Sequence, residues 1–397
     1  YEVDGREISP LDPDEINKII DEIGTKDIES IAVNSVYSPL NSEMEERAAE
    51  LISKKLPNVK ISLSHAIGKV GLIERENATI INAALSKLAE DIIEAFETAL
   101  KNLNIKAPLY ISQNDGTLMR PEKVKSYPVL TFACGPTNSM RGAAFLSGVE
   151  ESIIVDIGGT TSDIGYIKQG FPRQSAVATD VGGVRTNFRM PDIVSIGLGG
   201  GSIVRENGNK IGPDSVGYLL TEKAKVFGGD TLTATDIAVA KYNLDIGDPG
   251  LLKGLENDTI DNSKKQITKL LEDAIDKMKT SVEEVPAIFV GGGTIINKEK
   301  IKGISELIIP DNFAVANAVG AALGQVSGEV DRVFHYNKLG RDKTIEQASE
   351  EAKQKAKEAG AVEKTIEIIE INENPLAYLP GKSVRLQIKA IGDLENI

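Results

Sequence analysis

Three times in this chain a short apolar, β-branched run breaks into glycine. Residues 152–155 lead through Asp156 into Gly158-Gly159, residues 192–198 into Gly199-Gly200-Gly201-Ser202, and residues 287–290 into Gly291-Gly292-Gly293. The first run has the composition of a strand buried on both faces. Consecutive glycines carry a large entropic cost, which close approach to a ligand or to another backbone explains.

The first of these stretches, Asp156-Ile157-Gly158-Gly159-Thr160-Thr161-Ser162-Asp163, has the chemistry of a phosphate cradle. Two missing Cβ atoms let main-chain N–H groups approach an anion, and three hydroxyls add donors. Asp156 and Asp163 bracket the loop and would repel a polyphosphate unless a hard cation such as Mg2+ stood between them. The simpler reading of the same residues is a β-hairpin whose Asp and Thr side chains satisfy a turn.

Composition narrows the classes of partner. A net charge of -14 and a pI near 4.9 speak against nucleic acid or an anionic membrane as partner, so any phosphate is expected to be held locally by amides and metal. No apolar run approaches the ~20 residues needed to cross a bilayer. Cys134 is the single cysteine and His65 and His335 the two histidines, which leaves no internal disulfide, makes a Cys/His zinc site improbable and fits a reducing cytoplasm.

Along the chain, strands and helices alternate at first: a helix over 13–23 capped by Asp12, a strand over 29–36, a helix over 41–56 and a strand over 59–63. This alternation predicts a mainly parallel sheet flanked by helices. Residues 74–103 carry apolar residues at helical spacing and predict one long amphipathic helix or a broken pair. A strand over 109–112 ends in Gln113-Asn114-Asp115-Gly116, either ligand groups at a strand end or a hydrogen-bonded turn. The segment from Cys134 to Ser139 is expected to precede a helix over 140–146 as an anion site or simply a well-capped start; Cys134 has no His near it in sequence, and buried cysteine is the commoner case.

Residues 164–168 and a stretch around 175–181 read as consecutive strands of a meander, and 206–210 as a hairpin around Asn-Gly-Asn. Thr233 to Asp236 caps a helix, with Asp236 as a dipole partner. Further elements are a helix over 260–278, a strand over 306–309 and a small-residue helix opened by Asn312. A charged helix over 341–360 and strands over 363–371 and 383–391, separated by Pro375 and Pro380, read as a small α+β appendage. The charge run 43–50 reads as a solvated helix face.

Taken in order, several of these pieces resemble the hydantoinase/oxoprolinase family, in its ATP-using subunit type, and the corresponding subunits of acetone and acetophenone carboxylases. The matching residues are Ser64-His65 with Glu74-Arg75-Glu76-Asn77-Ala78-Thr79 and Asn82-Ala83, Gly135-Pro136 with Gly142-Ala143, Asp156 to Asp163, Asp192-Ile193 with Gly199 to Ser202, Gly212-Pro213-Asp214-Ser215, and Thr235-Asp236. The resemblance implies an α/β protein of actin/hexokinase-like (ribonuclease H-like) ATPase architecture, with mixed sheets flanked by helices and two related domains that close on ATP. It divides the chain into 1–150, the remainder of a first domain whose amino-terminal phosphate loop is absent; 151–328, a second ATPase-like domain; and 329–397, the small α+β C-terminal region. Thr137-Asn138-Ser139 stands where the family is expected to carry Ala and Gly.

The implied activity is an ATP-dependent hydrolase component that opens a cyclic amide, a hydantoin or 5-oxoproline-like ring, by phosphorylating the amide oxygen. A second subunit of the same type would complete the hydrolysis. Alternatives on the same core are a small-molecule kinase and a non-catalytic ATP-binding scaffold. The expected site comprises Asp156, Asp163 and His65 as catalytic groups; Gly158, Gly159, Thr160, Thr161, Gly199, Gly200, Gly201, Ser202, Gly291, Gly292 and Gly293 around ATP, with Gly291 to Gly293 bordering the adenosine; and Asp156 and Asp163 on Mg2+. Asp156 either holds the cation or orients the attacking oxygen. His65, without an acidic neighbour in sequence, reads equally as a structural hydrogen-bond donor.

Overall fold

Ser152–Ile157 is the central strand of a sheet ordered Ile193–Ile196, Ser162–Lys168, Ser152–Ile157, Val285–Val290, Ile304–Ile308, with Phe171–Pro172 paired to Ser162–Lys168. The computed structural model describes residues 1–2, 6–175, 178–376 and 382–395. The chain forms two units, one of Ala133–Gln174 and Pro191–Leu323 that contains this sheet, the other of Tyr1–Phe132, Ser175–Met190 and Gly324–Ile397.

Alternation along the central strand explains the layering of the first of these units. Ile153, Val155 and Ile157 pack with Ile267, Leu271 and Ile275 of the helix Asn257–Met278 on one face. Ile154 joins Ile167, Ile288 and Val290 against Met140 and Ala143 of the helix Cys134–Ser147 on the other. Each such isoleucine is fully buried and contributes roughly 1.5–3 kcal/mol relative to exposure. Strand parity then puts Asp156 on the same face as Ile154, toward the helix Cys134–Ser147.

That helix begins earlier than the sequence reading placed it: Cys134 to Ser139 form its opening turns rather than a loop before it. Pro136 is compatible with a first turn because its missing N–H would be unpaired there anyway. A Cβ on Gly142 would stand 1.8 Å from the Ala316 carbonyl oxygen, and one on Gly320 would stand 1.8 Å from that of Asn138. The helix Ala316–Ala321 therefore packs backbone to backbone on Cys134–Ser147, the use expected for its small residues.

In the same sheet the hairpin at Gln169-Gly170 has both residues at positive φ, as a tight two-residue turn requires. The meander does not continue through 175–181. Thr179–Val181 instead folds back on Val184–Thr186 through Gly182-Gly183, both at positive φ, and the next sheet neighbour is Ile193–Ile196. Residues 176 and 177 of that expected strand lie outside the described residues, as does Pro380.

In the second unit, Pro13–Ile23 is capped by Asp12, whose carboxylate accepts from the N–H groups of Asp14 and Glu15. Ser30–Val33 and Lys60–Leu63 pair in parallel, with Glu43–Lys55 between them in sequence. Leu72–Asn102 is one unbroken 31-residue helix. A five-stranded sheet runs Glu367–Pro375, Ser383–Asp393, Gln325–His335, Leu118–Met119, Ile111–Ser112. The helix Arg341–Glu358 covers it with Ala348, Ala352 and Ala356, all fully buried.

Candidate functional site

All three glycine turns follow strands that point the same way. Ile193–Ile196 and Ser152–Ile157 are both antiparallel to Ser162–Lys168, and Val285–Val290 is parallel to Ser152–Ile157. Their carboxyl ends thus lie on one edge of the sheet, where open α/β sheets carry ligands.

The turns also touch. The Gly200 N–H donates to the Gly158 carbonyl at 3.0 Å and the Gly201 N–H to the Gly159 carbonyl at 2.7 Å. A Cβ on Gly199 would lie 2.6 Å from Gly159 C and Thr160 N, and one on Gly293 would lie 2.3 Å from the Gly158 carbonyl oxygen. Neither position admits a side chain without displacing backbone.

These contacts decide which way the loop faces. In a trans peptide the C=O and the following N–H point in opposite directions. With the Gly158 and Gly159 carbonyls tied to Gly200 and Gly201, and Gly159 also accepting from Ser215 Oγ at 3.2 Å, the N–H groups of Gly159 and Thr160 turn away from those supports. Gly159, Thr160 and Thr161 are exposed, and among the described residues their N–H groups have no backbone acceptor. Gly199, Gly200, Gly201 and Ser202 act in the structure as a brace beneath the loop: Ser202 Oγ accepts from the Gly199 N–H at 2.8 Å, and Thr235 Oγ1 donates to the Gly200 carbonyl at 2.8 Å.

Asp156 and Asp163 are direct cross-strand partners. Burial pushes the Asp156 carboxyl up, a hydrogen bond from Ser139 opposes this, and the neighbouring Asp163 adds to the rise; the net shift is upward. Ser195 Oγ donates to Asp163. Gly291, at φ +84, leaves room for Asp156, since a Cβ there would meet Asp156 Oδ1 at 2.2 Å. Asn317 Nδ2 reaches both the Gly135 carbonyl, at 2.8 Å, and Ser139 Oγ, at 3.2 Å. Ser195 and Asn317 are site residues that the sequence reading did not single out; Ser139 belonged to the candidate anion segment, and Pro136, as a first-turn marker, was the available signal that it sits inside a helix.

Among the described residues no group of three or more His, Cys, Asp and Glu side chains is arranged to hold a metal ion. A cation here would draw on two carboxylates, and Mg2+ accepts that low protein share when phosphate oxygens complete its shell. The raised Asp156 carboxyl fits this, because a divalent charge would offset the burial that chiefly raises it as well as the repulsion from Asp163.

His65 belongs to the other unit, and it has the acidic neighbour that the sequence did not show. Its Nδ1 lies 2.8 Å from Glu45 Oε2, and its N–H donates to the same oxygen at 3.0 Å. Glu45 is fully buried, so the run 43–50 is not wholly a solvated face. Burial raises the Glu45 carboxyl, but hydrogen bonds from His65, Ser64 and Ser38 together hold it below its ordinary value. Arg75, also buried, donates to Ser64 Oγ and to the carbonyls of Ser35, Lys69, Val70 and Gly71. Asp115 is no exposed ligand group: it is buried and paired with Arg189 at 3.2 Å and Lys389 at 3.0 Å. Asp236 is part of a capping box with Thr233. Burial pushes the Cys134 thiol up, away from nucleophilic use.

A family model described as Hydantoinase/oxoprolinase matches residues 75–326, and one described as Hydantoinase/oxoprolinase N-terminal region matches residues 1–56. The chain belongs to the hydantoinase/oxoprolinase family. It is 28% identical over 336 residues to the caprolactamase subunit alpha of Pseudomonas jessenii, a match that covers 80% of this chain and 46% of that protein. The crystal structure of the ATP-dependent caprolactamase from the same organism superposes with a TM-score of 0.78 at 19% identity, over 100% of this chain and 69% of that one. A nucleotide-free acetone carboxylase superposes with a TM-score of 0.63 at 19% identity, over 99% and 68%. These structures share the fold of this hydantoinase/oxoprolinase-family chain, a mixed α/β arrangement with helices flanking the sheets. The chain spans less than half the length of the curated caprolactamase subunit. No helix among the described residues is long and apolar enough to cross a membrane.

Proposed function

We propose that the glycine site of the Ala133–Gln174 and Pro191–Leu323 unit grips the phosphate chain of ATP, and that the protein is a component of an ATP-dependent enzyme that opens a cyclic amide by phosphorylating the amide oxygen. The observation that carries this is the pair of exposed N–H groups at Gly159 and Thr160, aimed away from their glycine brace and set beside two facing carboxylates. Preorganised main-chain donors and a dicarboxylate are the parts that phosphoryl transfer asks of a protein, since positioning and charge neutralisation do most of the work.

Asp156 and Asp163 would hold Mg2+, which when bound supplies the positive charge that lets a polyphosphate approach them. The hydroxyls of Thr160 and Thr161 and the N–H groups of the loop would bind and orient the transferred group, and Ser139 keeps the Asp156 carboxylate aimed. Asp156 has a second task open to it, orienting the amide oxygen that attacks. An unstrained amide is a poor electrophile. Phosphorylating its oxygen gives an activated imidate: water would add at its carbon, the ring C–N bond would break with the nitrogen taking a proton, and a second water would hydrolyse the acyl phosphate to acid and phosphate, which suits a hydantoin or 5-oxoproline-like ring. Caprolactam is likewise a cyclic amide, and the relative is named as one subunit of a caprolactamase, which supports a second subunit here.

The test is product analysis with the complete protein and its second subunit: ATP-dependent formation of ring-opened acid and phosphate from a panel of cyclic amides. A stable phosphorylated metabolite in place of the acid would replace this reading with a kinase.

A further inference from the structure

A separate cleft of about 1030 Å3 lies wholly within the unit that carries His65, a size suited to a small organic ligand. Its lining holds seven Lys and Arg side chains against four Asp and Glu, in a chain whose net charge is -14. Most of these cations already have counterparts. Arg189 pairs with Asp115 and Glu329, Arg385 with Asp331 at 2.6 Å, and Lys355 with Glu351 at 3.1 Å.

Lys69 and Lys123 are different. Both are half-buried and line the cleft, and among the described residues neither ammonium has a hydrogen-bond or ion-pair partner. Burial pushes both ammonium groups down, and Arg189 adds to this at both, with Arg385 at Lys69; Glu329 opposes it at both, with Asp331 at Lys69 and Asp115 at Lys123, and the net shift is downward. Both therefore sit within electrostatic reach of the same guanidinium, Arg189. Two desolvated ammonium groups with no carboxylate in hydrogen-bond contact are unfavourable by themselves, and an anionic group placed between them and the cleft would satisfy both. Ile67, Val70 and Leu130 supply apolar wall beside them.

We propose that this cleft binds a small organic dianion, a phosphomonoester or a dicarboxylate, with its charged head on Lys69 and Lys123 and its apolar body against Ile67, Val70 and Leu130. The proposal goes beyond the nucleotide reading and does not depend on it, because the residues involved belong to the other unit.

The experiment is calorimetric titration of the 397-residue chain with glutarate and with phenyl phosphate, at low and high salt. The expected result is saturable, salt-weakened binding of at least one probe; the probe that binds identifies the head, and binding of both shows that charge alone is read. Lys69→Met with Lys123→Met is expected to weaken binding at least ten-fold, and the Arg pair at the same positions to retain it. Should the Met pair fail to fold, 13C-labelled lysine in the unsubstituted chain gives a second readout: the bound dianion raises the titration midpoints of two lysines. Absence of saturable binding by either probe, binding unchanged in a folded Met pair, or lysine signals that do not respond to bound probe would each overturn the proposal.

Discussion

Asp156 and Asp163 stand opposite each other in one antiparallel register, two carboxylates on a sheet face whose neighbours Ile154 and Ile167 are apolar and buried. Like charges directly across a ladder destabilise a sheet. Strand parity and the packing of Ile154 fix the arrangement, so the chain holds it without a ligand, and a divalent cation would turn the repulsion into a binding site.

The raised Asp156 carboxyl makes a signed prediction. A carboxyl whose folded value lies above its unfolded one disfavours the folded state in its charged form. The penalty is absent below the unfolded value, grows as pH rises through the window between the two, and is complete above the folded value. Asp156→Asn should therefore melt higher than the unsubstituted chain at neutral pH, and the gap should close on acidification through that window. A calorimetric melting series against pH checks this, and a gap independent of pH would contradict it. Mg2+ should raise the melting temperature of the unsubstituted chain and not of the variant.

Gly199→Ala places a methyl 2.6 Å from Gly159 C and Thr160 N. Main-chain atoms cannot swing aside as a flexible side chain can, so a loss of about 1–3 kcal/mol is expected. Nucleotide affinity should fall with it, measured by urea unfolding and by titration with Mg-ATP.

Asp115→Asn tests the buried ion cluster. Burial raises this carboxyl, yet Arg189, Lys389 and Thr117 hold it well below the usual carboxylate range. Its stabilisation is full above the unfolded carboxylate range and is lost only as pH falls through the much lower folded value. Removing the charge leaves two buried cations without it and should cost about 3–5 kcal/mol in urea unfolding at neutral pH. Acid unfolding of the variant should also lose its steepest component.

Gly142→Ala addresses the helix contact under the site. With a Cβ 1.8 Å from the Ala316 carbonyl oxygen, the two helices must separate, at about 1–3 kcal/mol or more. Because Ser139 lies on the same helix and bonds Asp156, affinity for Mg-ATP should fall along with the melting temperature.

The site's core was legible because its signals are local. A β-branched run followed by glycine reports a buried strand and a close approach within ten residues, and all three such turns do meet. What the sequence could not show depends on long separations. Glu45 reaches His65 across 20 residues, and Val326 pairs with Leu118 to bring the last strands into a sheet with residues 111–119. Asn114 and Asp115 do lie in the hydrogen-bonded turn that the sequence offered, with the Gly116 N–H donating to the Gln113 carbonyl, but their partners Arg189, Ser327 and Lys389 lie far along the chain. The start of the helix Cys134–Ser147 was misplaced because its cap, Ala133 in a left-handed conformation, carries none of the side-chain signals that mark most helix starts.

The claim on which the account rests is that outward N–H groups at Gly159 and Thr160 hold the nucleotide's phosphates. Amide hydrogen exchange on the complete protein, with and without saturating Mg-ATP, tests it directly. The account predicts slowed exchange in the peptide spanning residues 157–163, abolished by Asp156→Ala. Nucleotide binding that leaves exchange in that peptide unchanged would contradict it.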